Sequence, residues 1–479
     1  MVKYEVVMGL EVHAELSTNT KAFCSCSTKF GEDPNTNCCP VCMSLPGALP
    51  VLNVKVVEYA VKAGLAMNCS ITKDSKQDRK NYFYPDTPKA YQISQFDKPL
   101  CEKGYLDVNV NGENKRFGIT RIHIEEDAGK LIHDAFTGDT LVDFNRCGVP
   151  LIEIVSEPDF RNSDEVVAYM QTLKSILEYL DICDCKMQEG SLRCDVNLSI
   201  RPRGQKEFGT RTETKNLNSF KAIQRNIEYE IKRQIEVIEN GGKIVQETRR
   251  WDDAKGINVS MRTKEDAQDY RYFVEPDLAK ITLTDEYIDN IRNNLPMMPN
   301  VRRELYIEKY GLSDYDADQI TSSKKTADFF DETIKNTNNI KLVANWIMGD
   351  LARMLREQEM EIKDIRFNPE DLSKMIKLNV YVTISSKIAN VVFEEMFNTG
   401  KNPETIIKEK GLVQVSDEGL IKEIVEKIVA ANPQSVVDYH AGRDRALGFL
   451  VGQVMKETRG KANPQIVNKF ILEKLEELK

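Results

Sequence analysis

The chain is short of several things that would name a chemistry at once. Histidine occurs only at 13, 123, 133 and 440, and no spacing pairs one of them with a thiol such as Cys147, so a cysteine nucleophile has no visible base. There is no Gly-x-x-x-x-Gly-Lys-Ser/Thr loop and no Gly-x-Gly-x-x-Gly fingerprint. Any ATP would therefore be held through a metal and side-chain cations rather than by a phosphate loop. His-Glu-x-x-His and Gly-x-Ser-x-Gly are missing as well. No apolar run approaches the roughly 18 residues of a membrane span. The opening "MVKYEVVMGLEVH" runs directly into a strand pattern with Glu inside it, so neither a secretory nor a transit peptide is expected. A cytoplasmic protein with no membrane partner follows, and with it reduced thiols. Eleven cysteines, an odd number, then point to metal ligands or buried thiols rather than disulfides. Internal repeats and low-complexity tracts are also absent.

What is present suits a soluble protein of two to four domains: 479 residues, 41% hydrophobic and 29% charged. The net charge of −9 is uneven, because residues 401–479 sum to +1. The acidity lies in the first 400 residues, and the C-terminal part is free to approach phosphates.

"YEVVMGLEVHAEL", residues 4–16, alternates at period two. Val6, Met8, Leu10, Val12, Ala14 and Leu16 form an apolar face, while Glu11, His13 and Glu15 line the other about 7 Å apart. Such a face is either simply solvated or gathers a cation with further carboxylates. More acids in strand-like runs follow: Glu125 and Glu126 in "RIHIEEDAGK", Glu153 in "PLIEIVSEPD" and Asp195 in "EGSLRCDVNLSI". A carboxylate inside a strand costs several kcal/mol to bury unless it is paired or bound to metal. Taken together they favour a convergent, oxygen-rich site selecting Mg²⁺ or Mn²⁺.

In "CSCSTKFGEDPNTNCCPVC", Cys24-x-Cys26 and Cys39-x-x-Cys42 make two close pairs separated by a turn. That spacing fits a structural four-thiolate zinc knuckle over 24–42, with Cys38 as a spare or competing ligand. "RKNYFYPDTPKAYQISQFD" interleaves Arg79, Lys80 and Lys89 with aromatic residues, and "DYRYFVEPD" does the same around Arg271. Cations between aromatics suit a nucleotide or an RNA end, or else a loop that packs its tyrosines on a sheet.

Up to about residue 290, β-like segments alternate with turns, including the hairpin signal Asn111-Gly112, and are interrupted by helical patterns at 163–180 and 220–239. Beyond it Ser313, Ser323, Asn368 and Ser416 stand where helix N-caps are wanted. A further break falls near "NTGKNPETI". The reading is α+β, then all-α. Lys456, Arg459 and Lys461 gather around Gly460, where a helix end would expose them to a phosphate backbone, and Ala446, Gly448 and Gly452 suggest close helix packing nearby.

"GLEVHAEL", "DRKNYFYPDTPKAYQISQFD", "RIHIEEDAGK", "VPLIEIVSEPD", "EGSLRCDVNLSIRP", "ETKNLNSF", "DYRYFVEPDL" and "GFLVGQVMKETRGKANPQ" resemble, in order and spacing, the B subunits of the tRNA-dependent amidotransferases, the GatB family. The resemblance covers essentially the whole chain, and the cysteine loop fits members that keep a zinc site. It implies an antiparallel-sheet cradle over 1–292, similar to the catalytic domains of glutamine synthetase and guanido kinases. A helical domain at 293–407 and a YqeY-like tail at 408–479 that engages tRNA would follow. It implies an ATP-dependent ligase that phosphorylates the side-chain carboxylate of Glu-tRNA(Gln) or Asp-tRNA(Asn). Ammonia would then come from a glutamine-hydrolysing amidase partner, in a heterotrimer completed by a small third subunit.

On that basis Glu11, His13, Glu126, Glu153 and Asp195 are expected as catalytic Mg²⁺ ligands, with Glu125, Glu189 and Glu213 next. Arg79, Lys80, Lys89 and Arg271 are candidates for ATP phosphates or the tRNA end. Lys456, Arg459 and Lys461 are candidates for tRNA, and Glu15 for a solvated position. Two other functions fit the same residues: a non-catalytic tRNA-binding scaffold, and a free-standing ligase of the glutamine synthetase kind.

Overall fold

The computed structural model describes residues 3–134, 136–263, 269–381, 384–412, 418–443, 445–458, 462 and 464–478. The chain divides into two compact units at Pro299/Asn300.

The first unit is built on a nine-stranded sheet. Its strands are β1 (Tyr4–Glu15), β2 (Ser70–Ile71), β3 (Cys101–Val110), β4 (Glu113–Glu126), β5 (Pro150–Ser156), β6 (Leu192–Pro202), β7 (Thr212–Leu217), β8 (Glu247–Asp252) and β9 (Ile257–Thr263). They lie in the order β9-β8-β7-β6-β1-β5-β4-β3-β2. The Asn111-Gly112 signal makes the β3–β4 hairpin, both residues having positive φ as a tight two-residue turn requires. One pair departs from the expected antiparallel pattern: β7 and β8 run parallel. The helix between them, α3 (Phe220–Glu239), carries the chain back to the end where β7 began, and a crossover of that length makes neighbours parallel.

The alternation of β1 appears directly as burial. Met8, Leu10, Val12 and Ala14 are buried together with Ile122, Ile124, Ile152, Ile154, Val196 and Leu198 from neighbouring strands. Side chains of α1 (Val54–Ala66), α2 (Ser163–Tyr179) and α3 belong to the same core. Each helix starts where an Asn or Ser can take up a free amide: Asn53, Asn162 and Ser219 accept from Lys55, Glu165 and Ala222. The helices therefore take one face of the sheet, and the acids that alternate with these core residues are left on the other.

A smaller antiparallel sheet reaches that second face. Its strands are Asp78–Asn81, Tyr91–Ser94 and Phe273–Val274, with Asp78–Asn81 in the middle.

The second unit is helical among its described residues and contains two separate cores. One gathers residues from Tyr306 to Ile407, the other from Ile421 to Leu475. Ser313, Ser323 and Asn368 cap helices as expected, whereas Ser416 lies outside the described residues. Gly448 and Gly452 do not mark a close packing. Both are exposed, and a Cβ at either would meet nothing within 4 Å. No helix of the described residues is long and apolar enough to cross a membrane.

Candidate functional site

Strand register decides which polar side chains meet. His13 stands opposite Glu153 across β1–β5, and Glu153 stands opposite His123 across β5–β4. Directly opposed residues share a face, so an imidazole, a carboxylate and a second imidazole line up across three strands. His13 Nε2 lies 3.4 Å from Glu153 Oε2, and His123 Nε2 lies 3.2 Å from the same oxygen. Glu125, two residues beyond His123, brings Oε2 to 3.5 Å from His123 Nε2. The small sheet supplies the other partners of Glu125: Ser94 Oγ donates to Oε2 at 2.8 Å, and Lys80 Nζ lies 3.4 Å from Oε1.

Burial works against charge at every one of these groups, yet the neighbours outweigh it. Glu153 is held well below the usual carboxylate range, burial being overcome by His123 and His13. Glu125 is lowered to about 2 against its burial, chiefly by Lys80 and His123. His123 is raised to about 9 and His13 is raised, in both cases because Glu153 overcomes the desolvation of the ring. Mutual attraction of opposite charges at low dielectric thus keeps two carboxylates ionised in a buried place.

His13, Glu125 and Glu153 each offer one ligand atom within 4.8 Å of the others. Octahedral Mg²⁺ spans about 4.2 Å between opposite ligands, so small side-chain adjustments would close the group on a hard cation. Two carboxylates with one imidazole fit Mg²⁺ or Mn²⁺ better than a thiol-seeking metal.

One strand over, Glu11 faces Asp195 across β1–β6, and Asn197 Nδ2 donates to Glu11 Oε1 at 3.0 Å. Burial raises Glu11, and repulsion from Glu153 and Glu213 adds to it. The β6–β7 register shifts between Cys194 and Val196, leaving Lys215 and Asn216 opposite Asp195, with Asn216 at φ 67°. This bulge lets Lys215 Nζ reach Asp195 and Glu213, both at 2.8 Å.

A second group sits in the loop after β1. The Sγ atoms of Cys24, Cys26, Cys39 and Cys42 all lie within 4.8 Å of one another, and every one is a free thiol. Cys39 and Cys42 Sγ are 3.8 Å apart, matching the edge of about 3.8 Å that a tetrahedron with 2.3 Å Zn–S bonds requires. Cys38 turns away and approaches Asn145 Oδ1 at 3.9 Å, which resolves the fifth thiol.

A model of the GatB/GatE catalytic domain matches residues 6–289, and a model of a GatB domain matches residues 328–475. The chain belongs to the GatB/GatE family. It is 61% identical over 480 residues to the B subunit of the aspartyl/glutamyl-tRNA(Asn/Gln) amidotransferase of Caldicellulosiruptor bescii, covering 100% of both chains. It is 61% identical to the protein of the same name from Caldanaerobacter subterraneus subsp. tengcongensis, over 99% of this chain and 100% of that one. With that of Clostridium tetani it shares 56% over 99% of each.

Several expected site residues of this GatB/GatE chain lie elsewhere. Glu126 ends β4 and points away from Glu125, because consecutive strand residues face opposite ways. It pairs with Lys89 and accepts from the Ile93 amide at 2.8 Å, so neither Glu126 nor Lys89 stands in the His13 group. Arg79 is also committed. Its Nε and Nη2 grip Glu275 at 2.7 and 2.8 Å while the guanidinium lies 4.3 Å from the Tyr91 ring centre. Glu189 is held by Lys186 in the turn before β6. Glu15 is not simply solvated: it is half-buried, and burial together with Asp127 raises it to about 8. Arg271 and Lys456 are exposed, whereas Arg459 and Lys461 lie outside the described residues.

Cys147 is buried beside the knuckle, donating to the Cys42 carbonyl at 3.5 Å, and burial pushes its thiol up to about 12. Two residues of the polar face escape a reading of the sequence. His123 could be found from its period-two step to Glu125, but Lys215 depends on a bulge that no local pattern announces.

Proposed function

We propose that the chain is the catalytic B subunit of a tRNA-dependent amidotransferase and that the His13–Glu125–Glu153 face is its carboxylate-activating site. The observation that carries this is Glu153 gripped by two imidazoles, with Lys80 and Lys215 at the flanks of the same acidic face. The names of the relatives support the substrate class: Glu-tRNA(Gln), Asp-tRNA(Asn) or both. The domain limits 1–292, 293–407 and 408–479 are retained as part of this reading, as is a heterotrimer with an amidase and a small third subunit.

The reaction divides into two transfers. A side-chain carboxylate oxygen of the charged tRNA attacks the γ-phosphorus of ATP, and ADP leaves. Ammonia then attacks the acyl carbon, phosphate leaves, and the nitrogen sheds a proton. His13, Glu125 and Glu153 would hold Mg²⁺, with Glu11, Asp195 and Glu213 beside them. An ion held there would supply positive charge against the charge that builds on the transferring phosphoryl group. Lys80 and Lys215, at the flanks of the acidic face, would offer their ammonium groups to phosphate oxygens. Exposed Arg271 is left for the nucleotide or the tRNA end, and Lys456 for the tRNA backbone. The four thiolates of the 24–42 loop, all protein ligands, would hold a structural Zn²⁺.

The test is ATP hydrolysis by the assembled complex, with and without Glu-tRNA(Gln), comparing the native chain with E153Q and H13A. Turnover that requires charged tRNA and collapses in both variants, with glutaminase activity retained, is the expected result. Unchanged turnover in the variants would make this chain a scaffold. Turnover without tRNA or partners would make it a free-standing ligase.

A further inference from the structure

Lysine is almost never fully buried without a carboxylate partner. Lys21 is 0% exposed, yet its ammonium is held by backbone oxygens rather than by an acid. Its Nζ donates to the carbonyl of Asn37 at 2.8 Å and to that of Phe144 at 3.3 Å. Carbonyl dipoles solvate an ammonium but do not cancel its charge. A compensating negative charge has to lie close by; the Glu126 carboxylate, which a Cβ at Gly148 would meet at 3.8 Å, is already paired with Lys89, and the loop that wraps this lysine is rich in sulfur.

Lys21 stands three residues before Cys24, and its backbone amide donates to the Cys26 carbonyl at 3.0 Å. Asn37, which receives the ammonium, immediately precedes Cys38 and Cys39. One residue thus holds both arms of the knuckle. The neighbouring Ala22 amide donates to the Gly148 carbonyl at 2.9 Å, and a Cβ at Gly148 would come within 3.5 Å of the Lys21 stem. The same Cβ would lie 3.7 Å from Cys42 Cβ, so the Lys21 stem and Cys42 border one point in the packing.

Four thiolates around one Zn²⁺ carry two net negative charges. Cys42 is buried, and the amide of Cys39 donates to its sulfur at 3.1 Å. Amide donation spreads that charge without neutralising it.

We propose that Lys21 is the buried counter-charge of the zinc-thiolate group and the strut that seats the loaded knuckle on the loop leading into β5. The proposal rests on the zinc reading given above. It explains both a buried ammonium held by carbonyls and the attachment of the knuckle to segment 144–148. Lys21 is a positioning residue, remote from the reacting atoms, and its first consequence is metal retention.

The experiment follows zinc release from the full-length chain to a chromophoric chelator. Lys21→Gln keeps a hydrogen-bond donor and loses the charge, Lys21→Met keeps the stem and loses both, and Lys29→Met removes an exposed charge from the same loop. Both Lys21 variants are expected to release zinc about tenfold faster or more, the usual effect of losing an outer-shell partner, while Lys29→Met behaves as native. Native-like release from Lys21→Gln overturns the counter-charge, leaving a hydrogen-bonding strut.

The native chain supplies a readout that needs no variant to fold. A buried counter-charge makes its release rate insensitive to salt, whereas acceleration by salt would place the compensation at the surface and overturn the proposal. Native chain isolated without zinc, and unable to take it up, would sink the zinc reading itself. Zinc retained with unaltered release in the Lys21 variants sinks only the role of Lys21.

Discussion

The two candidate metal groups are assembled in opposite ways. The thiol group is local: four cysteines between 24 and 42 converge because a turn folds one close pair onto the other. The His13–Glu125–Glu153 group is distributed, its members lying 112 and 28 residues apart in the chain and meeting only through the register of three strands. A local group can be read from spacing. A distributed one cannot, because a shift of one residue in pairing would turn every acid to the helix-covered face.

The same contrast shows in charge. The knuckle concentrates thiolates and draws on a buried ammonium and a backbone amide. The carboxylate face is internally balanced, most of its acids lying against an imidazole, a lysine or an amide. A divalent ion at the knuckle would meet ligands that have no other use, whereas on the sheet it would displace existing ion pairs. The first arrangement suits permanent structure and the second suits a site that loads and unloads with its nucleotide.

The sharpest way to break the contrast is to remove one thiol. Cys39→Ser should abolish stoichiometric zinc, measured by metal analysis after dialysis, and lower the melting temperature. ATP turnover per folded chain should fall by less than about tenfold, because none of the four cysteines belongs to the His13 group. Next is Glu153→Gln, which strips both imidazoles of their shared carboxylate. Loss of charge stabilisation of this kind costs about 10²-fold or more in kcat, and zinc content should stay native. A melting temperature that fell as far as in Cys39→Ser would show the two groups to be one structural unit.

A smaller effect is expected at Lys215. Lys215→Met should lower kcat about tenfold and raise the KM for ATP, as expected for an ammonium lost from a phosphoryl-transfer site, without changing zinc. Loss of kcat with KM unchanged would assign Lys215 to holding Asp195 and Glu213 rather than to phosphate. The smallest is Cys38→Ser: with its thiol against Asn145, zinc stoichiometry and release should both remain native. A change in either would restore Cys38 as a competing ligand.

Much of the frame is legible in the sequence, since it rests on short-range chemistry. The period-two alternation of β1, the Asn111-Gly112 hairpin, the caps at Ser313, Ser323 and Asn368 and the cysteine pairs each depend on residues within a few positions. The expected residues that stand outside the His13 group share one feature. Glu126, Lys89 and Arg79 look like free charges in a linear string, yet each finds its partner across strands: Glu126 with Lys89 and Ile93, Arg79 with Glu275. A buried charge must be compensated, and the compensating group can stand two hundred residues away. Glu15 reads as solvated for the same reason, its repelling neighbour Asp127 being invisible from residue 15.

By itself the sequence determined which face of each strand would be polar, where helices begin and that thiols of one short loop can share an ion, because backbone periodicity, capping and close spacing act within a turn or a strand. Only the tertiary structure decided that Glu153 sits between His13 and His123, that a bulge aims Lys215 at two acids, and that Lys21 is buried against the knuckle. Those choices depend on strand order, register and what lies across the interface. No residue carries that information in its own neighbourhood.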